Sequence, residues 1–200
     1  MSQSNDNQIS MISKDVLYQG WSRIVDYRFT YQRGDGTVSE RSWEVCERPE
    51  ASAVLVYNRD LGKLIFVRQF RPPVYAMKHG DGFFLEIAAG LIDEGETPDV
   101  AARREVREET GYAVGKLEPI TAMISAPGLM TEKVHCFAAI VDGTMHVDDG
   151  GGLADEHEDI ELVELSLDEA SAMIQSGEIS DAKTVIAVQW ALLNPAFFEA

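Results

Sequence analysis

Gly90-Leu91-Ile92-Asp93-Glu94-Gly95-Glu96-Thr97-Pro98-Asp99-Val100-Ala101-Ala102-Arg103-Arg104-Glu105-Val106-Arg107-Glu108-Glu109-Thr110-Gly111-Tyr112 is the stretch on which the reading turns. Its second half predicts a helix. Thr97 suits the N-cap, Pro98 the first helical position, Asp99 the positive end of the dipole and Gly111 the stop. On that helix Glu105, Glu108 and Glu109 stand at i, i+3 and i+4 and share one face, with Ala102 and Val106 on the opposite, buried side. Like charges so placed cost a few tenths of a kcal/mol per pair. A hard divalent cation removes that cost, and Mg²⁺ or Mn²⁺ prefers such oxygen ligands. A solvated acidic face would account for the glutamates alone. It does not account for the frame of Gly90, Glu96, Arg104, Glu105, Glu108, Glu109 and Gly111. Identities at about 7% usage each fall into such a frame by chance in well under one in roughly ten thousand chains of this length.

Outward from the helix, the chain alternates strands with isolated helices. Residues 1–14 are polar and expected to be frayed. The stretch from Tyr18 to Glu47 reads as a hairpin around Gly34-Asp35-Gly36, and strands are expected at 53–57, 63–70 and 83–89. Beyond the central helix, strands are expected near 117–125, 134–141 and 160–165. Ser166-Leu167-Asp168-Glu169 is a capping box for a helix ending near Gly177. Asp181 opens a last helix through Leu193, with Val185, Ile186, Val188, Trp190 and Leu192 expected to be largely buried. This order predicts a mixed sheet with helices on its faces.

Gly90 to Tyr112 resembles the Nudix box in every defining position, and the chain is similar to Nudix hydrolases from about Tyr18 to Leu193. The resemblance implies the α/β class, an α/β/α sandwich with a mixed sheet, preceded by an N-terminal β-hairpin subdomain. It divides the chain into a dimerisation segment at 1–50 and a hydrolase domain at 51–200. It implies metal-dependent cleavage of a nucleoside diphosphate linked to another moiety. Glu105 and Glu109 are implied as metal ligands with Glu108 assisting, and the Ala89 backbone carbonyl as a further ligand. Glu96 and Arg104 brace the loop by an ion pair, between the structural glycines Gly90 and Gly111.

Pro127, in Ser125-Ala126-Pro127-Gly128, stands where the ADP-ribose pyrophosphatase subfamily carries its marker, and residues 152–160 resemble that subfamily's catalytic loop. Bacterial GDP-mannose pyrophosphatases share the Ser-x-Pro-Gly turn and the Glu-Asp-Ile ending, and are the alternative. The resemblance makes Glu156 the residue that orients or deprotonates the attacking water, with Glu158 the close second. Arg71 matches a phosphate-contacting arginine, Glu132 a residue near the terminal sugar, and Trp21 an aromatic that stacks the base, across a homodimer interface. Trp43 stands where the ADP-ribose enzymes carry an arginine near the base. ADP-ribose is the leading substrate, giving AMP and ribose 5-phosphate. Gly150-Gly151-Gly152 is expected to let the loop close over substrate.

Composition narrows the alternatives. The chain is 200 residues long, 45% hydrophobic and 26% charged, which suits a globular domain with a sizeable core. Seventeen Lys and Arg against 34 Asp and Glu give a net charge of −17, which argues against nucleic acid as a partner. No apolar run is long enough for a membrane span, and the first residues show no signal peptide, so a cytoplasmic location is expected. Cys46 and Cys136 read as buried free thiols. An intact box without a helix-turn-helix disfavours a non-catalytic ligand sensor. A plain cation-binding protein would not need Gly90, Arg104 and Gly111.

Overall fold

A computed structural model describes residues 8–78, 80–153 and 159–199. The chain divides into two compact units, Met1–Pro49 with Ile124–Glu132, and Glu50–Met123 with Lys133–Ala200.

The first unit is built on an antiparallel sheet of β1 (Ile9–Gln19), β2 (Arg23–Gln32) and β3 (Val38–Glu47). The hairpin around the glycine turn is present, from Gln32 opposite Val38 to Arg23 opposite Glu47. The expectation of a frayed start is wrong from Ile9 onward, because β1 pairs with β2 from Ile9 opposite Tyr31 to Gln19 opposite Arg23. Nearly every β1 side chain is exposed, so no alternation of burial marks this strand in the sequence. The 124–132 segment closes on β3 of the same unit. Trp43 Nε1 donates to the Gly128 carbonyl at 3.1 Å, and Cys46 N–H donates to the Leu129 carbonyl at 2.9 Å.

The second unit is an α/β sandwich. Its sheet runs β10 (Glu161–Leu165), β5 (Lys63–Phe70), β4 (Ala51–Asn58), β9 (Lys133–Val141) and β8 (Glu118–Ile124), with β4 and β9 parallel. Period-2 alternation along β4 explains the layering. Ala53 and Leu55 pack with Phe66 and Ala187 on one face, while Val54 and Val56 pack with Ala102 and Val106 on the other. The second face is covered by α2 (Pro98–Thr110). The first carries α3 (Leu167–Ser176) and α4 (Ala182–Leu193).

Three local readings change. The strand expected at 83–89 is two, β6 (Phe83–Glu86) on β5 and β7 (Ala88–Leu91) on β4, so the chain changes partner at Ile87. A short helix, α1 (Pro72–Ala76), follows Arg71, between the strands expected at 63–70 and 83–89. In α4 the buried residues are Thr184, Ala187, Val188 and Ala191, whereas Leu192 is exposed. Packing against a sheet favours small residues at the closest approach, so the bulkier side chains sit at the flanks. The Ser166 capping box forms as expected, with Gly177 closing α3. Among the described residues, no helix is long and apolar enough to cross a membrane. Cys136 is buried, which pushes its thiol up to about 11, while Cys46 is only half-buried.

Candidate active site

Pro98 starts α2 and Gly111 ends it in the left-handed region at φ 77°. Thr97 occupies the N-cap without capping through its side chain. Its hydroxyl donates to Asp99 Oδ1 at 2.6 Å instead. The predicted carboxylate face exists, but its members differ. Glu109 is buried to 1%, whereas the Glu105 and Glu108 side chains are 12% and 25% exposed. A carboxylate sunk so deep needs compensating partners, and Ala89 N–H donates to Glu109 Oε2 at 3.0 Å.

Arg104 joins the loop before α2 to this face. Its Nε and Nη2 fork onto Glu96 at 3.0 and 2.9 Å, and Nη2 also reaches the Leu91 carbonyl at 2.9 Å. Nη1 donates to Glu105 at 2.7 Å and Glu108 at 3.0 Å. The fork onto Arg104 holds the Glu96 carboxyl below its ordinary value, and Glu96 with its acidic neighbours raises Arg104.

Gly90 has a steric role. A Cβ there would occupy the place of the Glu105 carboxylate, so the missing side chain makes room for it beside β7. Glu105 and Glu109 therefore both lie against the Ala89–Gly90 backbone of β7, with Glu108 tied to Glu105 through Arg104. Among the described residues, no three acidic or histidine side chains stand close enough to enclose a metal ion unaided. The donors gathered at β7 are hard oxygens in a cradle that a Cβ would fill, and they fit Mg²⁺ or Mn²⁺.

The glycines of the following loop dock on the end of α2. Gly151 N–H donates to the Glu109 carbonyl at 2.9 Å and Gly152 N–H to the Glu108 carbonyl at 3.0 Å. The loop thus satisfies carbonyls that the end of α2 leaves open. Its glycines allow this close backbone approach. The Arg107 guanidinium pairs with Asp148, and a cleft of about 640 Å³ beside α2 is lined by Arg103, Arg104, Arg107, Val114, Asp148 and Leu153. Glu156 and Glu158 lie outside the described residues.

Arg71 sits away from the box carboxylates in sequence, and its Nε and Nη2 both reach Glu86 Oε2 at 2.7 Å. Glu86 Oε1 accepts from Lys183 Nζ, also at 2.7 Å. Burial alone would push the Glu86 carboxyl up, but Lys183 and Arg71 bring it below its ordinary value. Burial pulls Lys183 down, but Glu86 and Asp181 together hold it above its ordinary value. Sequence reasoning missed Glu86 and Lys183. The available signal was a single charge inside each of two apolar runs, Phe83–Ala89 and Ala182–Leu193, because buried charges are paired.

Trp21 and Glu132 belong to the first unit. Trp21 is 86% exposed, with the Arg48 guanidinium 5.8 Å from its ring centroid. Glu132 Oε2 accepts from the Ser125 hydroxyl at 2.7 Å.

Residues 47–187 match the NUDIX domain family. The chain belongs to the Nudix family. Among its relatives is a GDP-mannose pyrophosphatase of Pectobacterium atrosepticum, 39% identical over 189 residues, covering 94% of this chain and 96% of that protein. A GDP-mannose pyrophosphatase of Yersinia enterocolitica is 37% identical over 187 residues, with the same coverage. The crystal structure of an ADP compounds hydrolase superposes with a TM-score of 0.73, covering 92% of each chain at 21% identity. That likeness carries the Nudix fold, and the α/β sandwich expected of the sequence is the one found.

Proposed function

We propose that this Nudix protein hydrolyses the diphosphate bond of nucleoside diphosphate sugars, with GDP-mannose ahead of ADP-ribose. The gathering of Glu105 and Glu109 on the Ala89–Gly90 backbone carries the reaction class. The relatives, matched over nearly their whole length, move GDP-mannose ahead of the substrate that the loop wording favoured. Trp43 agrees with that order, since it replaces the base-side arginine of the ADP-ribose enzymes.

Ala89 O, Glu105 and Glu109, with Glu108 assisting, would hold Mg²⁺ or Mn²⁺, which supplies charge neutralisation for the diphosphate oxygens. Arg71 grips a phosphate oxygen through its guanidinium. Glu156, or Glu158 beside it, takes a proton from the attacking water. That water's oxygen bonds to one phosphorus, and the bridging oxygen leaves with the other phosphate. GDP-mannose would give GMP and mannose 1-phosphate; ADP-ribose would give AMP and ribose 5-phosphate. Glu132 serves the sugar and Trp21 the base. A cytoplasmic location suits this substrate class.

The deciding experiment is a panel of nucleotide sugars with purified protein and Mg²⁺, read by released phosphate monoester. Turnover of GDP-mannose above ADP-ribose is expected. No turnover of any member would favour a ligand sensor. For the base, Glu156→Gln is expected to lower kcat by about a hundredfold or more while leaving the Mg²⁺ dependence unchanged. A tenfold larger loss in Glu158→Gln would exchange the two assignments.

The same reading includes a two-fold dimer. Edge strand β1 exposes Ile9, Met11, Ile12, Val16, Leu17 and Tyr18, an apolar row suited to burial against a second copy. Light scattering at micromolar concentration should return twice the chain mass, and a single-chain mass would remove the dimer.

A further inference from the structure

We propose that Arg68 is a positioning residue for the 151–160 loop: it clamps the outgoing stem of that loop, at Glu161, to β5, the strand that leads into Arg71. The proposal rests on the hydrolase reading above, which sets the water-activating glutamate on this loop, and deepens it.

The loop is closed at a neck, where Ile160 N–H donates to the Gly151 carbonyl at 3.2 Å. Its incoming stem is bonded to the end of α2, through Gly151 and Gly152 on the carbonyls of Glu109 and Glu108. Its outgoing stem continues into β10, where Glu161 stands opposite Arg68 and Leu162 opposite Val67. Glu156 and Glu158 fall between the two stems in sequence. One stem is thus tied to the helix that carries the box carboxylates, and the other to the strand that Arg71 follows.

Arg68 Nη1 donates to Glu161 Oε2 at 3.1 Å, and Nη2 donates to Asp81 Oδ2 at 3.0 Å. The guanidinium carbon lies 4.5 Å from the Phe83 ring centroid. Two carboxylates and a ring together fix the plane of the guanidinium. Asp81 Oδ1 accepts from Phe83 N–H at 3.0 Å, and the carbonyl of the next residue, Gly82, accepts from Arg71 N–H at 2.8 Å. One side chain therefore joins the loop stem to the turn that holds the Arg71 backbone.

Neither phosphate binding nor stability accounts for this arrangement. With two carboxylates on it, the guanidinium has no positive charge left to offer a phosphate. The Arg68 side chain is 37% exposed and each acid 65%, and ion pairs so exposed add little to stability. What the clamp fixes is geometry. A reaction that needs a carboxylate within hydrogen-bond reach of its water is sensitive to small displacements of the loop that carries it.

The test uses the full chain. Arg68→Met is expected to lower kcat for GDP-mannose about tenfold, with KM and the Mg²⁺ concentration for half-maximal rate each changed less than about twofold. Arg68→Lys, which reaches one carboxylate but cannot fork between two, is expected to restore part of the loss. In a Glu161→Gln background, Arg68→Met should lower kcat less than about twofold further, because both act through one contact. An unchanged kcat, a shift in KM or Mg²⁺ dependence as large as the loss in kcat, or the full loss in both backgrounds would overturn the proposal. If Arg68→Met fails to fold, Glu161→Gln breaks the same contact from its exposed side, and the same loss is expected. Hydrogen exchange reads the clamp without turnover. Peptides covering 159–165 are expected to exchange about tenfold faster in the variant than in wild type, with those of 98–110 unchanged. Equal exchange in the two proteins overturns the clamp. Wild-type protein that hydrolyses no nucleotide sugar would remove the hydrolase reading, and the exchange result would still decide the clamp.

Discussion

Glu109→Gln is expected to lower turnover by at least about a hundredfold at saturating Mg²⁺ while the protein stays folded. The glutamine carbonyl can still accept from Ala89 N–H, which now donates to Glu109 Oε2 at 3.0 Å. The shape of a side chain buried to 1% is also preserved. What is lost is the negative charge beside the Ala89 carbonyl and Glu105. Glu109→Ala separates the two roles. It removes the charge and also strands the Ala89 donor, at a cost of about 1–3 kcal/mol. Activity of Glu109→Gln above about a tenth of wild type would count against a metal-holding role, and circular dichroism with thermal melting checks the fold.

Gly150→Ala is expected to destabilise the protein by about 3 kcal/mol, a fall of roughly 6–12 °C in Tm for a chain of this size. Two costs combine. Gly150 has φ 69°, in the left-handed region. A Cβ there would stand 2.7 Å from the Thr110 carbonyl carbon and 2.8 Å from the Glu109 oxygen and the Gly111 nitrogen. Those atoms are backbone at the end of α2, so they cannot swing aside. Gly177 is the control. It has φ 85° at the end of α3, but nothing lies within 4 Å of its would-be Cβ. Gly177→Ala therefore meets only the conformational cost, about 1 kcal/mol. Equal Tm shifts in the two variants would show that crowding at α2 is not what Gly150 serves.

These two residues mark how far the sequence could be read. Glu109 was legible because helical spacing is local: i, i+3 and i+4 share a face whatever the rest of the chain does. The same spacing could not tell Glu109 from Glu105 and Glu108, since burial depends on β7 lying across the helix. The docking of Gly150–Gly152 was not legible, because a glycine run has the same sequence signature wherever it lies. The carbonyls of Glu108 and Glu109 that Gly151 and Gly152 reach are about forty residues away in sequence.

The sequence by itself determined the α/β class, the extent of α2, the caps of α3 and the clustering of acid groups, because each follows from short-range periodicity or turn chemistry. The Arg104 fork onto Glu96 was also implied before the structure, since the box pairs a loop acid with a helix base. Tertiary structure decided what no local pattern encodes. It paired β1 with β2 although both β1 faces are exposed. It broke the 83–89 strand at Ile87, where the backbone changes partner. It joined Arg71, Glu86 and Lys183, residues up to 112 positions apart, because a buried carboxylate must find its cations wherever the fold brings them.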